Sequence, residues 1–147
     1  MSNASDRRAG YAARIEAETG VSEAMITALV AAFYRKARAD QLLGPVFAAR
    51  ITDWEPHLAR MVAFWSSVML MTGAYHGRPM ELHNPLPIDA AHFDRWLELF
   101  EETARELCPP AAAQAFAERA RAIGESLELA LASANGVLVA PGDRYRR

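Results

Sequence analysis

Apolar residues along this chain recur every three to four positions, the spacing that gathers them on one face of an α-helix. No stretch alternates as a half-buried strand requires, so the pattern predicts an all-α domain. Gly and Pro interrupt the periodicity at Gly20, Gly44–Pro45, Gly73–Gly77, Pro79, Pro85–Pro87, Pro109–Pro110 and Gly136. Four long amphipathic segments lie between these breaks. The first starts from Ser22 as N-cap and runs to about Arg38, burying Ile26, Leu29, Val30, Phe33 and Ala37 with Tyr34 at the edge of the stripe. A short turn is expected at Leu42–Phe47, where Gly44–Pro45 breaks any long helix. The second helix begins near Asp53 with Pro56 in its first turn. It carries Trp54, His57, Leu58, Met61, Val62, Phe64, Trp65 and Val68. Apolar around much of its girth, it should be sandwiched between neighbours. The third runs from an Asp89 N-cap to Leu107, with Phe93, Trp96, Leu97, Phe100 and Ala104 on one face. The fourth spans about Ala111 to Ala134, burying Phe116, Ala120, Ile123, Leu127 and Leu131, and Asn135–Gly136 signals its C-cap.

Composition narrows the function. With 147 residues, 52% of them hydrophobic and 23% charged, the chain can bury one real core and is not disordered. A net charge of −2 argues against nucleic acid as the main partner. The single cysteine, Cys108, permits no internal disulfide or Cys-based zinc site and reads as a packed, inert thiol. The apolar stretches Ile26–Phe33 and Met61–Met71 fall short of a membrane span. Asp6, Arg7 and Arg8 have no apolar run behind them, so no secretory signal is expected and the cytoplasm is the default compartment. Residues 1–20 read as an N-terminal extension with a short helix around Tyr11–Glu18, and 137–147 as a loose, flexible tail. Neither a glycine-rich dinucleotide or P-loop motif nor a GxSxG elbow occurs.

The polar residues that interrupt apolar faces carry the candidate chemistry. His92 stands three residues past the Asp89 N-cap, where a structural role suffices, and His76 lies in the Tyr75–His76–Gly77 turn. His57 shares a helical face with Met61, Phe64 and Trp65, either as a satisfied core histidine or as a group facing whatever that face covers. His83 sits between turn residues and prolines, in Glu81–Leu82–His83–Asn84–Pro85. A neutral imidazole held this way can present one nitrogen to a metal, but no HExxH pattern or carboxylate–histidine spacing accompanies it. Tyr34 brings a hydroxyl to its helix's core face, and Trp96 an indole N–H donor. Both are core aromatics with incidental polar atoms, or else Tyr34, His57 and Trp96 converge on one pocket.

One resemblance decides between these readings. Phe33–Tyr34, Leu43–Gly44–Pro45–Val46–Phe47, Trp54–Glu55–Pro56–His57 and Phe64–Trp65 resemble a truncated haemoglobin. The continuation through Gly73–Ala74–Tyr75–His76–Gly77–Arg78–Pro79, His83, Leu86–Pro87, His92–Phe93 and Arg95–Trp96–Leu97–Glu98–Leu99–Phe100 is similar to the third group of that family. The match covers roughly residues 22–136 in order, although residues 1–15 extend beyond the usual start and the Phe47–Trp54 segment is short. It implies a shortened bacterial globin over residues 21–136, two antiparallel helix pairs clasping a haem b.

In that frame His83 matches the proximal iron ligand. Tyr34, His57 and Trp96 match the distal hydrogen-bonding residues, Met61 and Phe64 match apolar distal positions, and Phe33 and Phe93 pack against the haem. The implied ligands are O2, CO, NO or peroxide. Peroxidase-like or nitric-oxide-oxidising turnover would draw electrons from an external reductase or other donor. A sensor or store without turnover, and a haem-free helical interaction module, are the alternatives.

Overall fold

A computed structural model describes residues 4–71, 87–140 and 142–146 of the chain. Within them lie α1 (Ala4–Thr19), α2 (Glu23–Ala39), α3 (Gly44–Arg50), α4 (Trp54–Leu70), α5 (Ala90–Leu107) and α6 (Pro110–Ala134). The described residues contain no strand, as the periodicity predicts. No helix among them is long and apolar enough to cross a membrane.

Local chemistry places the boundaries. Ser22 Oγ accepts the Met25 N–H at 3.2 Å and starts α2. Asp89 accepts the Ala91 N–H at 3.0 Å while His92 Nδ1 accepts the Asp89 N–H at 3.1 Å, a reciprocal cap on α5. Only Cys108 and Pro109 separate α5 from α6, so the two helices must fold back on each other. Beyond α6, Asn135 caps the helix and Gly136 takes the left-handed φ of 75°.

A large core gathers Val21, the buried stripe of α2, the second half of α4, and the facing sides of α5 and α6. Phe100 is at its centre, stacked on Trp65 with ring centroids 4.8 Å apart. Every expected α2 core position is buried, Tyr34 included. On α5 the buried set adds Leu99 and Thr103, whose hydroxyl is satisfied by the Leu99 carbonyl at 2.6 Å. A second, smaller cluster joins Ile88, Phe93, Leu127, Leu131, Ala132 and Tyr145.

The structure departs from the sequence reading in several places, among them Trp96, Leu97 and Ile123, which are half-buried rather than core. The expected turn at Leu42–Phe47 is mostly helix, α3. Pro45 sits in its first turn, where no backbone donor is lost, and Asp40 Oδ2 accepts the N–H groups of both Leu42 and Leu43 at 3.0 Å to start it. The N-terminal helix is far longer than Tyr11–Glu18, running from Ala4 to Thr19; Ala12 and Ile15 pack on the main core, while residues 6–10 add exposed turns ahead of them. The first half of α4 is half-buried rather than sandwiched, since one of its faces borders a hollow. Finally, the segment expected to be a loose tail is anchored at its end, where Tyr145 is buried with only 4% of its surface exposed.

Gly44 sets the crossing of α3 over α2. A Cβ there would lie 2.6 Å from the Arg38 carbonyl oxygen, which is backbone and cannot swing aside. Gly44→Ala should therefore push α3 outward and destabilise the fold by roughly 1–3 kcal/mol, the usual cost of overpacking. Urea denaturation checks this; an unchanged midpoint would show that α3 is free to shift.

Candidate functional site

The hollow beside α4 is a cavity of about 290 Å3 walled by five helices. Val30, Phe33 and Tyr34 come from α2; Val46, Phe47 and Arg50 from α3; His57, Arg60, Met61, Phe64 and Trp65 from α4. His92, Phe93, Trp96 and Phe100 come from α5, and Ile123 and Leu127 from α6. Helical spacing does much of this work, because residues 57, 61 and 64 share one face of α4, and 30, 33 and 34 one face of α2. Phe33, Tyr34, His57, Met61, Phe64, Phe93 and Trp96, all singled out from the sequence, line this one cavity. His83 and His76 lie outside the described residues.

Aromatic packing fixes the polar members. The Tyr34 ring meets Phe33, Phe47, Trp54 and His57 edge-on, with centroids 5.0, 5.6, 5.8 and 5.1 Å away. His57 is wedged perpendicular to both Tyr34 and Trp54, the latter at 5.6 Å. Its Nε2 is fully buried. The Arg38 guanidinium sits 4.2 Å over the far ring of this group, Trp54. Trp96 stacks on Phe100 at 5.7 Å and meets Phe33 at 84°. Behind it is Gly124, where even a Cβ would stand 3.6 Å from the indole. Burial pushes the Tyr34 phenol well above its ordinary range, so it stays protonated and able to donate.

Sequence reasoning overlooked part of the lining. Val46, Phe47, Arg50 and Ile51 reach the cavity because α3 exists, and His92 borders it while capping α5. Arg50 and Arg60 are exposed, and no carboxylate is among the described residues that line the cavity. Cys108 takes no part; it is buried, and burial raises its thiol pKa.

Residues 18–122 match the bacterial-like globin family. The chain belongs to that family. Over 88 residues this globin is 36% identical to the group 3 truncated hemoglobin of Campylobacter jejuni, covering 56% of this chain and 69% of that one. The crystal structure of the group III truncated hemoglobin from Campylobacter jejuni superposes with a TM-score of 0.70 at 32% identity, over 74% of this globin and 89% of that chain. The truncated globin fold expected from the sequence is thus the observed one.

Family membership makes this chain a haem globin, and its described residues suit the group. Haem needs a slot of apolar and aromatic walls, which the cavity provides, and its two carboxylates need cations at the edge. Arg50 and Arg60, exposed at the border of the cavity, have the charge to meet that need.

Because the folded state holds the Tyr34 proton more tightly than the unfolded chain does, its burial stabilises fully below the ordinary phenol pKa of 10.0. That stabilisation is lost as pH rises through this value towards the folded one. The apoprotein should lose stability in this alkaline range, and Tyr34→Phe should lose less. Urea titrations of both proteins across the range check it; equal losses would exclude the phenol as the cause.

Proposed function

We propose that this globin is a b-type haem protein that binds O2 and related diatomic ligands and carries out redox chemistry on them. The observation that carries the reading is that Tyr34, His57 and Trp96, three polar side chains from three helices, line one cavity whose remaining walls are mainly apolar and aromatic. His83, outside the described residues, is the proposed iron ligand. Arg50 and Arg60 are the proposed partners of the haem carboxylates. When bound, haem supplies an iron that takes a diatomic ligand and exchanges electrons with it.

The chain's own residues set what happens to such a ligand. A donor held in place by packing stabilises negative charge nearby without reorganising, and in an apolar surround its effect is larger than in water. The Tyr34 phenol, protonated through burial, and the Trp96 indole, which can only donate, act as those donors. His57 is wedged between Tyr34 and Trp54 and adds a third polar group. Met61, Phe64 and Phe33 exclude water from the space around them. Three polar groups at one ligand position favour slow release and chemistry over reversible carriage. Turnover of peroxide or nitric oxide draws electrons from an external donor, and the proposed compartment is the cytoplasm.

Spectra of ferric, ferrous and CO-bound protein test the reading. His83→Ala should lose most haem or its histidine coordination, and His57→Ala should keep both; the reverse result would make His57 the iron ligand. Hydrogen bonds to charged groups contribute about 1.5–3 kcal/mol. Trp96→Phe and Tyr34→Phe should therefore each speed O2 dissociation by roughly 10- to 100-fold in stopped flow. Unchanged rates in both single variants and the double variant would remove these donors from the site. Protein that stays colourless after haem addition would overturn the whole reading.

A further inference from the structure

Beyond residue 122, where the family match ends, the chain builds a second structure against the cavity wall. Glu128 of α6 is a carboxylate only 6% exposed. Arg144 reaches back across it, with Nε 3.0 Å from Oε2 and Nη2 2.8 Å from Oε1. The same Nη2 donates to Asp94 Oδ1 at 2.7 Å, tying the end of the chain to α5 as well as α6. The next residue doubles the attachment: the Tyr145 N–H donates to Glu128 Oε2 at 3.2 Å, and its carbonyl accepts the Ala90 N–H at 2.7 Å. Ala90 is the first residue of α5, so its N–H has no partner within the helix.

What this clasp holds is the cavity. The Tyr145 ring is buried among Ile88, Phe93, Leu127, Leu131 and Ala132, and the first three of these line the hollow itself. Tyr145 packs with these three lining residues without itself lining the hollow. It belongs to the smaller hydrophobic cluster, in which few other residues could make good the loss of so large a ring.

We propose that Arg144 and Tyr145 form a strap that fixes the Ile88–Phe93–Leu127 wall and thereby sets how tightly this chain retains its cofactor. The inference rests on the haem reading. Arg144 and Tyr145 are positioning residues, acting through Phe93 and its neighbours. Without Arg144 the Glu128 carboxylate is left buried and uncompensated, which forces the segment open rather than merely subtracting a surface contact.

Haem transfer from the holoprotein to excess apomyoglobin measures retention. Arg144→Gln and Tyr145→Ala should each speed release by about tenfold or more, with a changed Soret circular dichroism as the aromatic wall moves, and Arg144→Lys should recover part of the loss. Arg121→Gln is the control: it breaks the 2.9 Å Arg121–Glu101 pair, which also joins α6 to α5 but does not touch the wall. It should leave release unchanged. Wild-type release rates in both strap variants, or equal acceleration by Arg121→Gln, would overturn the proposal.

Should the strap variants fail to fold, amide hydrogen exchange on the unaltered apoprotein still decides. The Ala90 N–H should be protected by its bond to the Tyr145 carbonyl, and exchange as fast as at a frayed helix end would overturn the strap. Unaltered protein that takes up no haem would overturn the functional reading and this inference together. Normal haem uptake with insensitive strap variants would overturn this inference alone.

Discussion

A hollow held open between two hydrophobic clusters is the constraint on which the rest of this structure depends. Protein interiors pack as tightly as organic crystals, and an apolar void of this size costs on the order of several kcal/mol if nothing fills it. The main core of α2, α4, α5 and α6 offsets that cost on one side, and the small Ile88–Tyr145 cluster closes the other. Rigid rings keep the walls from collapsing inward. Phe100 stands against Trp65, Trp96 and Phe33 at 4.8, 5.7 and 5.6 Å, so these four rings of the wall brace one another. A cofactor that fills the space binds the folded chain alone and stabilises it by mass action.

The same constraint explains the electrostatics. A charge facing the hollow would be expensive to desolvate, so apart from Arg50 and Arg60 the polar residues that line it, Tyr34, His57, His92 and Trp96, carry no permanent charge. Formal charges stand at the border, where Arg50 and Arg60 are exposed, or behind the walls in compensated pairs. Asp40 is such a case. Its burial acts to raise its pKa, but the Leu43 N–H, Arg95 and the Leu42 N–H outweigh this and hold the carboxyl below its usual range. One residue thereby ends α2 through its backbone N–H to the Ala37 carbonyl, while its side chain starts α3 and grips α5 through the 2.7 Å bond from Arg95 Nε. The donors at the site come from different helices, and junctions of this kind are what give them a fixed relation to one another.

Much of this was legible in the chain itself. The spacing of Ile26, Leu29, Val30 and Phe33, the Ser22 and Asp89 caps and the Asn135–Gly136 stop define helices by local chemistry, which depends only on near neighbours in sequence. The ordered run from Phe33–Tyr34 through Trp96 carried the family. Periodicity also put His57, Met61 and Phe64 on one face, and the cavity confirms that face as its border.

Tertiary structure alone decided the rest, because the deciding contacts join residues far apart in sequence. The Gly44–Pro45 pair reads locally as a break; it becomes the start of α3 only because Asp40 caps the turn and the Gly44 Cα can press against the Arg38 carbonyl. Trp96 and Ile123 have the pattern of core residues, yet they are only half-buried because their faces meet a hollow that no local pattern encodes. The sequence determined that Arg144 and Tyr145 follow a helix stop in a short aperiodic stretch, which reads as loose. Folding brings Glu128 and the unpartnered N–H of Ala90 within reach, and a buried carboxylate and an orphan donor then hold the segment in place.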